Sequence, residues 1–307
     1  MRNQSNLSDV AALILNYNMA ALTMICVDNL LKITEDLTIV IVDNCSMDGS
    51  AEKLSLAYSN NDRIHIHKSI TNGGYAKGNN EGLKYIRDHL KDTRYVLVLN
   101  PDVIVNSERT LIALRRVLEQ NDQYAVASCR IVLCNQQKKS IDYAWRFPDK
   151  KNLFLSGTLL GKMLKTATNN YYMSIEKKNG IAEVDVVSGC FFMARLEDLE
   201  RAGDFDVRTF LYGEENILAK KLQRFTKQEA ILVDEYVVHN HQEKERALQH
   251  YKNRAFDKKC YYDSKKLYIE NYSDLHGISL WICRFVNSVD YRIKQIIFCI
   301  LGVIRRK

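Results

Sequence analysis

The chain has 307 residues, enough for one large α/β domain with an extension or for two small domains. Its composition, with 46% apolar and 26% charged residues, is that of a globular protein and excludes global disorder. The net charge is +7, and Lys and Arg are concentrated in the last third. Such a basic region fits nucleic acid, an anionic membrane surface or an acidic substrate, although a solvated helix face explains any single lysine.

Cysteines and apolar runs predict the cellular location. The eight cysteines form no Cys-x-x-Cys pair and mostly lie in apolar runs, as expected of core residues in a reducing compartment. No apolar signal core follows the first residues, and no run approaches the roughly 18 to 20 apolar residues of a spanning helix. We therefore expect a cytoplasmic protein that is free or lies at the inner face of the cell membrane.

The first half of the chain alternates predicted strands and helices. Apolar or alternating runs predict strands at Val10–Leu15, Leu37–Val42, Arg63–His67, Tyr95–Leu99 and Tyr124–Leu133. Apolar residues at helical spacing predict the intervening helices, at 20–32, from about Ser50, at 78–90 and after Ser107. Repeated units of this kind predict an α/β fold with a mostly parallel sheet and helices on both faces.

The second half is less regular. The segment 135–182 has no clear pattern, while Glu183–Ala194 and Ile231–His239 are predicted as strands and 214–225 as a helix. From residue 243 the pattern is helical and basic. We therefore predict an α/β domain over 1–242 and a basic, amphipathic helical extension over 243–307.

Polar or glycine-rich residues follow four of the predicted strands. They are Asn16-Tyr17-Asn18, Asp43-Asn44, Thr71-Asn72-Gly73-Gly74 and Asn100-Pro101-Asp102. Ligands of open α/β sheets bind beyond the carboxyl ends of the strands. These segments are therefore expected to converge on one ligand site.

Two of these strand ends carry a carboxylate. Asp102, at a bend fixed by Pro101, is a hard oxygen ligand suited to magnesium or manganese, which in turn bridges two phosphates. The alternative is a turn residue or helix cap. Asp43 is placed to accept hydrogen bonds from a nucleobase or ribose, and its alternative is a turn bonded to its own backbone.

The segment Asn72–Asn80 is rich in glycine and enters a predicted helix. Its amides are candidates for close approach to a diphosphate, with Lys77 and Asn79 beside them. It matches neither the Walker loop nor the dinucleotide-binding fingerprint, so as a generic glycine loop it is weak evidence.

Two further groups carry candidate chemistry. Glu214 and Glu215 are paired carboxylates at a predicted helix start, where one is a candidate general base with a raised pKa. The alternative is that both stabilise the helix dipole. His239 ends the last strand and is a candidate metal ligand; the alternative is a surface histidine pair with His241.

Taken in order, these motifs resemble glycosyltransferase family 2 over roughly residues 8–242. The branch they are most similar to is that of the bacterial rhamnosyl- and galactofuranosyltransferase-like enzymes of surface polysaccharide synthesis. The segments that carry the resemblance are Val42–Ser50, Asn72–Asn80, Leu99–Val103, Val187–Phe192, Phe205-Asp206, Phe210–Glu215 and Val238-His239.

The resemblance implies a GT-A fold, a Rossmann-like mixed and mainly parallel sheet flanked by helices. It implies inverting transfer of a sugar from a UDP- or dTDP-sugar to a hydroxyl of a glycan or lipid-linked glycan, assisted by a divalent metal, magnesium or manganese. A nucleotidyltransferase is the alternative enzyme class, although it would show a glycine-rich loop where this chain has Asn16-Tyr17-Asn18. A non-catalytic sugar-nucleotide-binding protein is the third alternative.

By position, the resemblance gives most of these residues a role. Glu215 matches the catalytic base, with Glu214 as the alternative, while Ser188 and Gly189 would line the acceptor side. Asp102 and His239 would hold the metal. The predicted donor-binding residues are Asn16, Tyr17, Asn18, Asp43, Asn44, Asn72, Gly73, Gly74, Lys77, Asn79 and Asn100.

The chain departs from the family pattern at two positions. Asn100 replaces the first acid of the family's Asp-x-Asp, which is common in this branch. Ile217 stands where the family often has another carboxylate, and Glu replaces Asp at the base position, so the choice between Glu214 and Glu215 stays open.

The last residues have an amphipathic pattern of their own. Segment 278–307 combines Trp281 and many aliphatic residues with interspersed Arg and Lys. This pattern fits an interfacial membrane anchor and equally a helix packed on the domain or in a homodimer. We expect no nucleic-acid partner.

Overall fold

The computed structural model describes residues 7–133, 143–164, 180–240 and 251–304. Residues 135–142 and 165–179 of the segment without a clear pattern, His241 and the terminal Arg305–Lys307 lie outside these ranges.

The strands and helices are numbered in chain order. The strands are β1 (Val10–Asn16), β2 (Thr38–Asp43), β3 (Ile64–Lys68), β4 (Tyr95–Leu99), β5 (Val103–Val105), β6 (Tyr124–Leu133), β7 (Ala144–Trp145), β8 (Ile181–Val184), β9 (Val186–Val187), β10 (Phe191–Arg195) and β11 (Gln228–His239). The helices are α1 (Ala20–Ile33), α2 (Ser50–Ala57), α3 (Gly74–His89), α4 (Glu108–Gln120), α5 (Lys150–Leu155), α6 (Leu159–Leu164), α7 (Leu196–Ala202), α8 (Glu214–Gln223), α9 (Tyr251–Asn271) and α10 (Gly277–Ile304).

The main sheet is mixed, and its longest ladders are parallel. Its strand order is β3-β2-β1-β4-β10-β6-β11-β5, with β8 also paired to β11. β1 pairs in parallel with β2 and β4, β2 with β3, and β6 with β11. β10 runs antiparallel between β4 and β6. The parallel strands place their carboxyl ends along one edge, as the sequence predicts.

Alternating side chains of the buried strands divide the core into two layers. On β1, Val10, Ala12 and Ile14 join a core with residues of α1, α2 and α4. The intervening Ala11 and Leu13 join a core with residues of α3, α7 and α8. Because successive side chains of a strand point to opposite faces, helices cover the sheet on both sides.

The C-terminal helices pack on the domain through a third, smaller core. This core combines Leu153 of α5, Ile217 of α8, Tyr268 of α9, Cys283 of α10, and Leu275 of the loop between α9 and α10. Ile217 is fully buried there, which explains an apolar residue at a position where a carboxylate is common. The division at residue 242 stays a prediction, since residues 241–250 lie outside the described ranges.

Two predicted elements need correction. The helix predicted at 78–90 begins at Gly74, because the glycine-rich segment forms its first turn. The strand predicted over Glu183–Ala194 is three short strands, with Ser188 and Gly189 in the gap before β10. Among the described residues, no helix is both long and apolar enough to cross a membrane.

Candidate active site

Asn16 and Asp43 end neighbouring parallel strands and bond to each other. Asn16 Nδ2 donates to Asp43 Oδ1 at 2.7 Å, and the Ser46 amide donates to Asp43 Oδ2 at 2.9 Å. Asn16 is completely buried and also accepts from the Thr23 hydroxyl at 2.7 Å. Its side chain therefore positions Asp43, and its predicted contact with the donor stays a prediction.

The loop after β1 is tied to the loop after β2. Asn18 has φ of 53°, and its side-chain oxygen accepts from the Met47 amide at 2.9 Å. The Asn18 amide in turn donates to the Ser46 hydroxyl at 2.8 Å. Tyr17, which lies between Asn16 and Asn18 in the loop after β1, is exposed and is therefore available to a ligand.

Asn44 organises the glycine-rich start of α3. Its Nδ2 donates to Asn72 Oδ1 at 3.0 Å and to the Gly74 carbonyl at 3.1 Å. Its Oδ1 accepts from the Gly73 amide, and Asn72 Oδ1 accepts from the Gly74 amide. These amides already have acceptors within the protein, and the approach of a diphosphate to Gly73 and Gly74 stays a prediction.

The same helix start holds the loop that precedes Glu214. The Tyr75 amide donates to the Phe210 carbonyl at 2.8 Å, and a Cβ on Gly74 would lie only 2.2 Å from that oxygen. Gly74 also has φ of 78°, so both the contact and the conformation require glycine. The Tyr75 hydroxyl donates to the Gly189 carbonyl at 2.6 Å, which links α3 to the predicted acceptor side.

Lys77 and Asn79 of α3 point to different environments. Lys77 is exposed, and its ammonium donates to the Thr71 hydroxyl at 3.3 Å. Asn79 is buried, donates to the Tyr75 carbonyl at 2.9 Å, and has a side-chain oxygen without a hydrogen-bond partner. Of the two, Lys77 is the one that can reach a diphosphate in solvent.

Asp102 and His239 meet on paired strands. Val103 pairs with His239 in the antiparallel ladder of β5 and β11, and the Asn240 amide donates to the Asp102 carbonyl at 2.7 Å. This register brings His239 Nε2 to 3.1 Å from Asp102 Oδ1. The side chains of Asp102 and His239 are 13% and 15% exposed, so both can still be reached from solvent.

The donor set of this pair fits a divalent cation. A carboxylate oxygen and an imidazole nitrogen converge, and both are ligands of manganese-type ions in proteins. The described ranges contain no group of three His, Cys, Asp or Glu placed to hold a metal. An ion here would therefore have to complete its coordination with diphosphate oxygens and water.

Glu214 and Glu215 have different surroundings at the start of α8. Glu214 is only 3% exposed, and burial together with the neighbouring charge of Glu215 raises its pKa to about 8. Burial also raises the pKa of Glu215, but its Oε1 accepts from the Gly189 amide at 3.3 Å, which favours the ionised form. Only Glu215 lines the adjoining cavity.

Cys190 connects the turn that carries Asp102 with the Ser188-Gly189 segment that contacts Glu215. Burial raises the pKa of its thiol to about 12, with the charges of Asp102 and Glu215 acting in the same direction. The Asn100 amide donates to the Cys190 carbonyl at 2.9 Å, so the donor-side turn and the acceptor-side Ser188-Gly189 segment are joined at this residue.

The cavity beside Glu215 has a volume of about 330 Å³, within the range of small-molecule sites. Its walls come from β7, α5, the turn before α8, and α9, and they are rich in aromatic residues. The aromatic lining residues are Trp145, Tyr212, Tyr261 and Tyr268. The Trp145 indole donates to Asn216 Oδ1 at 2.8 Å, which fixes its ring.

The predicted site residues do not include these aromatic residues, Lys265 or the buried Glu229. Burial raises the pKa of Glu229 to about 8, and its carboxyl accepts from the Val187 amide at 2.6 Å, just before Ser188. A signal for Lys265 was present, since it follows Tyr261 by four residues and precedes Tyr268 by three on α9. A lysine on the inward stripe of a helix is unusual.

Residues 12–203 match the family described as glycosyl transferase family 2. This segment is more than half of the chain and contains the strand ends at Asn16, Asp43 and Asp102. The chain therefore belongs to glycosyl transferase family 2.

Two curated relatives are each 28% identical to the chain. Low-salt glycan biosynthesis hexosyltransferase Agl10 of Haloferax volcanii matches over 213 residues, 69% of this chain and 61% of the relative. Rhamnosyltransferase WbbL of Escherichia coli matches over 153 residues, 48% of this chain and 54% of the relative. The matched part thus spans less than two thirds of either relative.

Solved structures share the fold at 15% sequence identity. Mannosyltransferase PcManGT from Pyrobaculum calidifontis, solved with GDP-Man and Mn²⁺, has a TM-score of 0.57 over 92% of this chain and 72% of its own. GalNAc-T7, with UDP, GalNAc and Mn²⁺, has a TM-score of 0.58 over 76% of this chain and 44% of its own. S. aureus TarS has a TM-score of 0.52 over 87% of this chain and 40% of its own. The predicted GT-A architecture is confirmed.

Proposed function

We propose that the protein is an inverting glycosyltransferase that moves a hexose-type sugar from a UDP- or dTDP-sugar to a hydroxyl of a glycan or lipid-linked glycan. The observation that carries this proposal is a pair of backbone hydrogen bonds that joins the two centres. The Asn100 amide, in the turn that carries Asp102, donates to the Cys190 carbonyl at 2.9 Å, and the adjacent Gly189 amide donates to the cavity-lining Glu215 at 3.3 Å. The Asp102–His239 pair is suited to a leaving diphosphate, and Glu215 is suited to an incoming hydroxyl. Family membership and the hexosyl- and rhamnosyltransferase relatives support the same reaction.

The donor side positions the nucleotide sugar. Asp43, oriented by Asn16, offers carboxylate oxygens for the nucleoside, with Tyr17 exposed beside it. Asp102 and His239 would hold a divalent ion, which when bound would neutralise the charge developing on the leaving diphosphate. Lys77 adds an exposed ammonium near the glycine-rich helix start.

The acceptor side supplies the base. Glu215 accepts the proton of the acceptor hydroxyl while that oxygen forms a bond to the anomeric carbon and the bond to the diphosphate oxygen breaks. Because attack and departure occur on opposite faces of the sugar, the configuration inverts. At neutral pH Glu214, with its pKa of about 8, is largely protonated, which lets the neighbouring Glu215 carry the negative charge.

A donor panel tests the proposal. We expect one UDP- or dTDP-sugar, with Mn²⁺ or Mg²⁺, to raise Tm by about 5 °C or more at saturation, and EDTA to remove the effect. Differential scanning fluorimetry measures this directly. Stabilisation by nucleoside triphosphates alone would favour the nucleotidyltransferase alternative, and no stabilisation by any nucleotide sugar would contradict the proposal.

We also propose that α10 lies on the inner face of the cell membrane, consistent with synthesis of a bacterial surface polysaccharide. One face of this helix packs inward through Cys283 and Asn287. The opposite face leaves apolar side chains exposed at helical spacing, namely Ile278, Trp281, Phe285, Val289, Ile293 and Ile296. Trp281 is 65% exposed and stacks on Phe285, and exposed Arg284 and Arg292 lie on the same helix. An apolar face with Trp and flanking arginines fits an anionic lipid surface.

Vesicle flotation tests this contact. We expect the full chain to float with phosphatidylglycerol-containing vesicles, and a double variant Trp281→Ser and Phe285→Ser to bind at least about tenfold more weakly. Ile25→Ser removes an exposed apolar side chain of α1 and serves as the matched control. A wild-type protein that does not float, or a dimer that the double variant abolishes, would contradict membrane contact.

A further inference from the structure

The cavity beside Glu215 contains a charged group that the transfer step does not use. Lys265 of α9 lines the cavity, and its Nζ donates to the Ser156 carbonyl at 2.7 Å. Within the described ranges this is its only hydrogen bond to the protein, and it forms no ion pair there. Two ammonium donors are thus left for a ligand.

The charged neighbours of Lys265 do not neutralise it. Asp290 and Lys294 of α10 pair with each other at 2.5 Å, and Asp290 also accepts from the Leu159 amide. Burial lowers the pKa of Lys265 to about 8, while Cys283 and Asp290 partly oppose this and Lys294 adds to it. Glu215 is the carboxylate of α8 that lines the same cavity. A mostly buried lysine that, among the described residues, forms no ion pair lowers stability, and such lysines are unusual outside functional sites.

The rest of the cavity suits a sugar ring. The aromatic rings of Trp145, Tyr212, Tyr261 and Tyr268 offer apolar surfaces with polar tips, and Asn152 and Asn216 offer amides for hydroxyl groups. Of the residues that line this cavity, Lys265 is the cationic one and is therefore the group that would favour an anionic acceptor.

We propose that the acceptor sugar carries an oxyanion, a phosphate or a carboxylate, and that Lys265 binds it. This inference rests on the proposed function, because it identifies the cavity as the acceptor site. The ammonium then forms the charge-assisted hydrogen bonds that it lacks in the protein alone. Lys265 would thus select the acceptor, while Glu215 at the same cavity activates its hydroxyl.

Binding of sugars to the full chain tests the inference without requiring transfer. The probes are N-acetylglucosamine 1-phosphate, glucuronic acid and uncharged N-acetylglucosamine, titrated calorimetrically at pH 7. We expect one of the two charged sugars to bind about tenfold more tightly than the neutral one. Which charged sugar binds identifies the oxyanion as phosphate or carboxylate.

Three variants assign the preference to Lys265. Lys265→Met should abolish the preference, Lys265→Arg should keep it, and Lys266→Met, an exposed neighbour on α9, should have no effect. Lys265→Met should also keep or raise Tm, because it removes an unpaired charge. Equal binding of all three probes by the wild type, or a preference that survives Lys265→Met, would overturn the inference even if transfer is demonstrated.

The pH dependence gives a second readout. The ammonium must be protonated to bind the anion, so the wild-type preference should fall as pH rises through about 8. Lys265→Arg should retain its preference to pH 9, since arginine stays charged, and Glu214 and Glu215 titrate equally in both proteins. If the preference for the charged sugar falls identically in the wild type and in Lys265→Arg, a group other than Lys265 causes the pH dependence, and the inference is overturned.

Discussion

Glu215→Gln is expected to lower the rate of sugar transfer by about a thousandfold while leaving donor affinity unchanged. Glutamine has the same shape and can still accept from the Gly189 amide, now 3.3 Å from Glu215 Oε1, so the cavity wall is preserved. It cannot take the proton of the acceptor hydroxyl. Initial rates measure the first effect, and calorimetric titration of the donor measures the second.

Glu214→Gln is the matched control. Glu214 does not line the cavity and, with a pKa of about 8, is already largely protonated at neutral pH, so glutamine mimics its normal state. We expect its transfer rate to stay within about tenfold of wild type. If Glu214→Gln abolishes transfer and Glu215→Gln does not, the two roles are exchanged. If both variants are fully active, the chain uses no carboxylate base at this helix start.

Asp102→Ala is expected to abolish metal-dependent donor binding and to reduce transfer by about a thousandfold or more. The change removes one of the two side chains that converge at 3.1 Å. It leaves the backbone bond from the Asn240 amide to the Asp102 carbonyl in place, so the β5–β11 ladder should persist. The measurement is the manganese-dependent rise in Tm with the stabilising nucleotide sugar, with and without EDTA.

Asp92→Ala controls for the loss of a carboxylate. Asp92 is exposed and precedes β4, whereas Asp102 follows it, so the two residues lie at opposite ends of one strand. We expect no change in donor binding for Asp92→Ala and an intermediate loss for His239→Ala. If manganese-dependent stabilisation survives Asp102→Ala, the metal does not bind at Asp102.

Local patterns in the sequence predicted the parallel part of the fold well. The predicted bounds of Tyr95–Leu99 and Tyr124–Leu133 agree with β4 and β6, since continuous apolar runs are typical of strands buried on both faces. Polar residues at the strand ends located Asp43 and Asp102 without any knowledge of pairing. The paired carboxylates at a predicted helix start and the histidine at the end of the last strand made Glu214, Glu215 and His239 candidates, and the family motifs then gave them their predicted roles.

Long-range pairing was not predictable in this way. The position of β10 between β4 and β6, and the register of Val103 with His239, depend on contacts between distant segments. Side-chain hydrogen bonds also changed the interpretation of the glycine-rich turn, because Asn44 and Asn72 satisfy amides that a sequence motif presents as free. The cavity, built from β7, α5, α8 and α9, has no contiguous signature for the same reason.

The bond from the Asn100 amide to the Cys190 carbonyl has a consequence for how acceptor specificity changes. It fastens the donor turn to the start of β10 in the central sheet. The cavity is lined from outside that sheet by Asn152 and Leu153 of α5 and by Tyr261, Ser264, Lys265 and Tyr268 of α9. On the proposed function, substitutions in those helices are expected to change which acceptor binds while Asp102, His239 and Glu215 keep their mutual geometry, and a variant library confined to α5 and α9 would test this.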